Sequence, residues 1–547
     1  MTERDPNPSP PRCAVLVGGY TSGKTTLLEA MLYTAGAIDR MGAVPDGTAV
    51  GDSSREARDR RMSVEPNVAG ASFLGEPWHI IDCPGTVELA YDSRTALMAA
   101  DMAVVVAEPD PDKALTLAPL FRFLDEQAIP HVLFINKVDK ANHSVRDILD
   151  ALQQVSPQPL VLRQVPIREN GRVTGYVDLV SERAYRYREG APSDLIQMPE
   201  TVAERESEAR EAMLESLADH DDTLMEKLVE DVVPPPGDLY ERLSADVRSD
   251  ALVPVMLGSA ANANGVTRLW KALRHEAPGP SATARRLGVP EAAGVGADAL
   301  AASVVKTFHQ PHAGKLSLAR IWQGTVKDGT QIAGQRAGLH GMMGADLSKQ
   351  RQAEAGDLVA LGRVEPLRTG DLIAGGARVP EPDMIWPEPP EPVYSLAVEP
   401  EKRADEVKLT SGLHKLGEED PSLQTAHDDS GQLLLRGQGD QHLCLALARL
   451  QSRFNVTATA QLPATPYRET IRAGTTRHTR FKRQSGGHGQ FADITVHIAP
   501  LPRGSGVTFT DEIVGGAVPA GFIPAVEAGV REGLQRGPLG FPVVDVA

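Results

Sequence analysis

A chain of 547 residues can hold about three to five domains, and 41% hydrophobic content fills their cores, though only 4% of residues are aromatic. A formal net charge of −17 argues against nucleic-acid binding through overall charge, and no apolar run reaches the ~18 residues of a membrane span. Cys13, Cys83 and Cys444 are too far apart for a disulfide framework or a thiolate metal site, and predict buried free thiols in a reducing compartment.

Residues 1–11, rich in proline and charge, predict a disordered tail without the apolar segment of a signal peptide, so a cytoplasmic protein is expected. From Arg12 to about Pro280, short apolar runs alternate with helical patterns. Strands are expected at Ala14–Val17, His79–Asp82, Met102–Ala107, His131–Asn136 and Val253–Leu257. Such alternation predicts a multidomain α/β protein that opens with a parallel sheet covered by helices on both faces. Ligands of such sheets bind at the carboxyl ends of the strands.

The first strand runs into Gly18-Gly19-Tyr20-Thr21-Ser22-Gly23-Lys24-Thr25-Thr26, which fits G-x-x-x-x-G-K-[ST]. The helical spacing of Leu27, Leu28, Met31 and Leu32 supplies the helix that must follow. Glycines let backbone N–H groups turn inward around phosphates, Lys24 reaches the β- and γ-phosphates, and the Thr25 hydroxyl ligates Mg²⁺. The second motif, Asp82-Cys83-Pro84-Gly85, offers Asp82 to Mg²⁺ and the Gly85 N–H to a γ-phosphate. The third, Asn136-Lys137-Val138-Asp139, selects guanine: the Asp139 carboxylate accepts two hydrogen bonds that adenine cannot donate. Asn136 can bond the base edge and the Lys137 stem can cover its face. The fourth, Gly258-Ser259-Ala260, can present backbone N–H to the guanine oxygen. Each alone is an ordinary turn; four in this order at strand ends specify GTP with Mg²⁺.

An insertion is expected at about 158–252, with short strands Leu160–Leu162 and Gly175–Leu179 and a charged helical region. Residues 200–250 carry 16 acidic against 5 basic side chains, either a solvated face or a dock for a basic protein. Residues 297–378, strand-like with turns at Asp328-Gly329, Gly356-Asp357 and Gly370-Asp371, predict a small β-barrel. After a proline-rich linker, residues 391–464 give the order βαββαβ, a ferredoxin-like fold. Its helices are marked by Leu409, Leu413 and Leu416, and by Leu443, Leu447, Leu450 and Phe454. The run Gly437-Gln438-Gly439-Asp440-Gln441-His442 has the look of a phosphate loop, but lacks the Lys-Ser/Thr pair and reads as the start of a helix. Residues 468–490 carry six basic side chains (Arg468, Arg472, Arg477, Arg480, Lys482, Arg483) against Glu469 alone, a stripe that can contact phosphates whatever the total charge.

From Arg12 to the last residue, insertion included, the chain resembles translation elongation factor G and its paralogues. The resemblance implies a GTPase, here a monomer, that works on the RNA and proteins of the ribosome. Arg60-Arg61-Met62-Ser63-Val64-Glu65 is similar to the family's switch segment, so Ser63 takes the place of the threonine that ligates Mg²⁺ in the GTP state. Residues 465–547 are similar to part of the fourth domain, with Gln484-Ser485-Gly486-Gly487-His488-Gly489-Gln490 as its tip loop. His488 stands where arginine is usual. Thr86 stands where the family carries the histidine that orients the attacking water, and Thr21 where it usually has aspartate. The resemblance also implies that the chain stops within its fourth domain, leaving a last strand at Pro542–Val546 with an open edge and a loosely folded end. The functions to weigh are a translocation or ribosome-disassembly GTPase, a GTP-dependent switch with slow hydrolysis that Thr86 would favour, and a tetracycline-type ribosomal protection protein.

Overall fold

The computed structural model describes residues 9–188, 190–219, 221–230, 232, 234–296, 298–310, 314–428, 431–465, 467–484, 486 and 489–547. The chain divides into two units, one running to Ala426 and including Leu433–Gln461, the other made of His427–Gln432 and Leu462–Ala547.

The first unit opens with a seven-stranded sheet in the order Asn67–Phe73, Glu76–Asp82, Arg12–Gly18, Met102–Ala107, His131–Ile135, Val253–Leu257, Leu160–Leu162. Its central strands are buried on both faces, as strands between two helical layers must be. Along Arg12–Gly18, Cys13, Val15 and Val17 enter the core on one face, while Ala14 and Leu16 enter the other. Helix Lys24–Thr34 packs Leu27, Leu28 and Met31 into that second core, where Trp270 donates its indole N–H to Met31 O at 3.0 Å. The register sets Leu16 beside Asp82, Gly18 beside Val106 and Ala107 beside Ile135. The phosphate loop and the loops after Asp82, Ile135 and Leu257 therefore leave one edge of the sheet together.

Two features differ from expectation. The sheet is not wholly parallel, because Asn67–Phe73 runs antiparallel to Glu76–Asp82. Leu74 (φ 51°) and Gly75 (φ 85°) are both left-handed, the two-residue turn whose twist suits a hairpin. The small residues Ala69, Gly70, Ala71 and Ser72 give this strand none of the β-branched signal that marks the others. Leu160–Leu162, grouped with the insertion by its sequence position, instead extends the central sheet parallel to Val253–Leu257. Beyond it, residues 164–196 form a separate four-stranded antiparallel sheet. The acidic stretch forms helices Glu200–Ala218, Asp222–Val229 and Pro236–Arg248, which bury Val202, Met213, Leu217, Leu239 and Leu243.

The described residues of 301–379 are antiparallel β-structure, with Ala301–Gln310 paired to Gly314–Gln323 and a core that includes Val304, Ile321, Leu339 and Val359. Tyr394–Pro400, Glu406–Glu419, Gln424–His427, Leu433–Gly437, Asp440–Phe454 and Ala458–Gln461 supply the ferredoxin-like order, and the predicted leucines Leu409, Leu413, Leu416, Leu443 and Leu450 fill its core. Cys13 and Cys83 are buried as expected, whereas Cys444 lies on the outer face of helix Asp440–Phe454 and is exposed.

Buried ion pairs join these parts of the first unit. Asp101 meets Arg320 at 2.7 Å, with both side chains fully buried, and Asp92 meets Lys306. Glu65, in the switch segment, meets Arg449 at 2.9 Å and Arg453 at 3.1 Å on helix Asp440–Phe454. Burial alone would raise the Glu65 carboxyl, but the two arginines outweigh it and bring its pKa down to about 2. A carboxyl depressed below its unfolded value of about 4.3 stabilises fully above that value, and this stability is lost as pH falls toward the folded value. Between about pH 4.3 and 2 the wild-type chain should lose stability that Glu65→Gln, already uncharged, does not lose. Denaturation midpoints of the two proteins across that range test this.

In the second unit, Thr475–Arg483 and Gln490–Ile498 form a hairpin with Arg477, Arg480, Lys482 and Arg483 exposed, followed by helix Ile523–Leu534. Of the glycine-rich tip, Ser485, Gly487 and His488 lie outside the described residues. The expected open-edged strand at Pro542–Val546 is not formed. Val543 and Val546 instead make single bridges, to Glu469 and to Pro500 and Val507, and Val546 is buried. The cause is Asp545, whose left-handed backbone (φ 60°) breaks the extended run while its carboxylate accepts the N–H groups of Gly504 and Gly506.

Candidate nucleotide-binding site

In the phosphate loop Gly18 (φ 142°) and Gly23 (φ 92°) take conformations that L side chains rarely adopt, and a Cβ on Gly18 would lie 2.2 Å from Val106 O. Thr21 is left-handed as well (φ 64°), a strained choice for a β-branched residue, and its Oγ1 lies 3.4 Å from Glu108 Oε1. Tyr20 is exposed, Gly19 and Thr26 are half-buried, and the buried Ser22 hydroxyl has no partner among the described residues. Lys24 bends back over the loop and donates to Gly18 O (3.1 Å) and Gly19 O (2.9 Å). Burial pushes its pKa down, opposed by Asp82.

The predicted metal residues meet. Thr25 Oγ1 donates to Asp82 Oδ2 at 2.7 Å and lies 2.9 Å from Ser63 Oγ. Ser63 Oγ is 3.4 Å from both Asp82 Oδ2 and Asp52 Oδ1. Asp82 is fully buried, which pushes its pKa up to about 7; Thr25 and Lys24 oppose the rise and Asp52 adds to it. Its Oδ1 has no hydrogen-bond partner among the described residues. Two hydroxyls and two carboxylates, all hard oxygen donors, suit Mg²⁺, and Thr25, Ser63 and Asp82 are the residues that would hold it. Asp52 was not legible in the sequence. It follows Gly51, where a Cβ would come 2.8 Å from Asp82 Oδ2.

Gly85 closes on the loop: a Cβ there would stand 2.4 Å from Lys24 Nζ and 2.8 Å from Gly19 O. Thr86 follows, half-buried, at the start of the short turn Val87–Leu89. A pocket of about 520 Å³ opens between these segments, lined by Gly19, Ser22, Gly85, Thr86, Glu88 and Gln441 of the ferredoxin-like domain.

On the base side, two of the predicted residues have partners within the chain. Asn136 is buried; its Nδ2 donates to Ser22 O at 2.9 Å and its Oδ1 accepts the Ala260 N–H at 2.9 Å. The amide thus braces the phosphate loop against the fourth motif through the Ala260 N–H. Both groups are buried polar groups close together, so each satisfies the other. Lys137 is left-handed (φ 59°) and its ammonium binds Thr21 O and Glu108, a carboxylate that no sequence motif marks. Ser259 is buried beneath the base side, while Asp139 is exposed in the turn Val138–Lys140.

Comparison with known families matches residues 10–279 to the Elongation factor Tu GTP binding domain, 389–461 to Elongation Factor G domain III and 463–547 to Elongation factor G domain IV. An "Elongation factor G-like protein" from Synechocystis sp. is 45% identical over 538 residues, covering 98% of this chain and 79% of that protein. A crystal structure of a protein from Thermus thermophilus superposes with a TM-score of 0.85 at 30% identity, covering 98% of this chain and 80% of the other. With the phosphate loop, the oxygen cluster beneath it and this likeness along nearly its whole length, the chain belongs to the elongation factor G-like family of GTP-binding translation factors.

Proposed function

We propose that this chain binds GTP with Mg²⁺ and acts on the ribosome, hydrolysing GTP in translocation or ribosome disassembly. The observation that carries the reading is the meeting of Lys24, Thr25, Ser63 and Asp82 at one sheet edge, with the Ser63 segment clasped by a second domain through Glu65. The loop N–H groups and Lys24 hold the β- and γ-phosphates. Bound Mg²⁺ supplies charge neutralisation. Asp139 reads guanine, and the Ser63 segment passes the state of the γ-phosphate to Arg449 and Arg453. A second reading, a switch that hydrolyses slowly, is favoured by Thr86, whose short hydroxyl cannot take the place of an imidazole.

Asp139→Asn should weaken GTP binding by about 1–3 kcal/mol, by leaving one N–H of the bound guanine unsatisfied, and favour xanthosine nucleotides. Equal affinity for ATP and GTP in a calorimetric titration of the wild type would overturn the guanine assignment. Co-sedimentation with ribosomes tests the partner: binding should require a non-hydrolysable GTP analogue over GDP and weaken with salt. Arg480 and Lys482 share one face of the exposed hairpin and Arg483 lies on the other. Neutralising all three should flatten the slope of log affinity against log salt by up to about 3. An unchanged slope would remove them from the RNA contact.

A further inference from the structure

The run Gly437–His442, with its look of a phosphate loop, starts helix Asp440–Phe454, and the anion it receives belongs to the chain itself. The His442 N–H donates to Glu88 Oε2 at 2.8 Å. A Cβ on Gly439 would fall 2.4 Å from the Glu88 carboxyl carbon, so glycine is what admits the carboxylate there. The turn is braced from behind. His442 Nδ1 accepts the Gln438 N–H at 3.1 Å, which leaves the proton on Nε2 to donate to Asp420 at 3.0 Å. One turn further, Leu445 packs with Val64 of the switch segment and with Leu89 of the short turn after Thr86. Glu88 lies two residues beyond Thr86, so this latch holds the first helical turn against the loop that faces a γ-phosphate. The residue between the anchors, Gln441, is exposed and lines the 520 Å³ pocket together with Gly19, Ser22, Gly85 and Thr86.

We propose that Gln441 orients the attacking water of GTP hydrolysis, taking the part that Thr86 is too short to play. The inference rests on the reading of the site as a GTPase. A carboxamide offers one acceptor and two donors on a flexible stem, and a glutamine amide is an established way to hold such a water in line. In the step, the water oxygen forms a bond to the γ-phosphorus, the bond from that phosphorus to the β–γ bridging oxygen breaks, and its electron pair leaves with GDP. The water proton passes to the inorganic phosphate. Gln441 contributes a hydrogen bond from the water to its Oε1 and takes up no proton. Its place on a different domain from Lys24 makes hydrolysis conditional on the latch between Glu88 and the helix.

The test uses the full chain with ribosomes. Gln441→Ala should keep its affinity for a non-hydrolysable GTP analogue within about twofold, yet slow single-turnover hydrolysis by about 10²-fold. It should weaken binding of GDP with aluminium fluoride, a mimic of the transferring phosphoryl group, by a similar factor. In a Thr86→His background the same substitution should have little effect on hydrolysis. Unchanged hydrolysis and unchanged aluminium fluoride binding in Gln441→Ala would overturn the inference. So would a loss accompanied by faster hydrogen exchange at residues 439–446, which would assign the effect to the helix start. A wild-type protein that binds GTP but never hydrolyses it would overturn the inference and leave the nucleotide assignment standing. One that fails to bind GTP would refute the functional reading itself.

Discussion

Thr86→His should raise ribosome-stimulated GTP turnover by about 10²-fold while leaving GTP affinity nearly unchanged. Positioned acid–base and water-orienting groups contribute about 10²- to 10⁴-fold, and the low end applies here because Gln441 already faces the pocket. Affinity is held elsewhere: Lys24 lies in the phosphate loop, Thr25, Ser63 and Asp82 cluster beneath it, and among the described residues the Thr86 side chain makes no hydrogen bond to any of them. Thr86 also sits at the start of a short turn rather than inside it, so the exchange leaves the backbone hydrogen bond from Leu89 N–H to Thr86 O in place. Nucleotide titration followed by phosphate release with excess ribosomes measures the two quantities separately. No gain in turnover would show that something other than the missing imidazole limits the rate. Brisk turnover by the wild type would dispose of the slow-switch reading.

Asp101→Ala should destabilise the protein by about 3–5 kcal/mol, the cost of leaving a buried charge without its partner. Asp101 does three things at once. Its Oδ2 receives Arg320 at 2.7 Å and the Cys13 N–H at 2.7 Å, and its Oδ1 receives the Thr283 hydroxyl at 2.5 Å. Its loss would strand a fully buried guanidinium between the nucleotide sheet and the β-structure of residues 301–379. The double substitution Asp101→Ala with Arg320→Met removes both charges and should lie nearer the wild type than Asp101→Ala alone. Urea unfolding of the three proteins makes the comparison. A single variant as stable as the wild type would mean that water reaches Arg320.

Local matters were legible in the sequence. Gly18, Gly23, Lys24 and Thr25 announce a phosphate loop because close approach to phosphate demands glycine and a cation at set spacings. The sheet's central strands were readable because strands buried on both faces must be apolar throughout. The leucines at helical spacing in residues 409–450 identified the ferredoxin-like helices for a similar reason. Asn67–Phe73 escaped because its small residues carry no strand signal until Glu76–Asp82 pairs with it.

Only the tertiary structure decided what meets across long stretches of chain. Asp52 carries no motif, yet it faces Ser63 because the segment before the switch folds over Asp82. Asn136, whose sequence context marks a base contact, is also a brace because Ser22 and Ala260, 114 residues before it and 124 after it, present a carbonyl and an N–H to one buried amide. Neither Glu65 nor Glu88 shows a partner in the sequence; one helix, more than 350 positions away, offers two arginines to the first and its own N-terminus to the second. Propensity and spacing act over a few residues, whereas the partner of a buried charge is chosen by whichever element the fold packs against it.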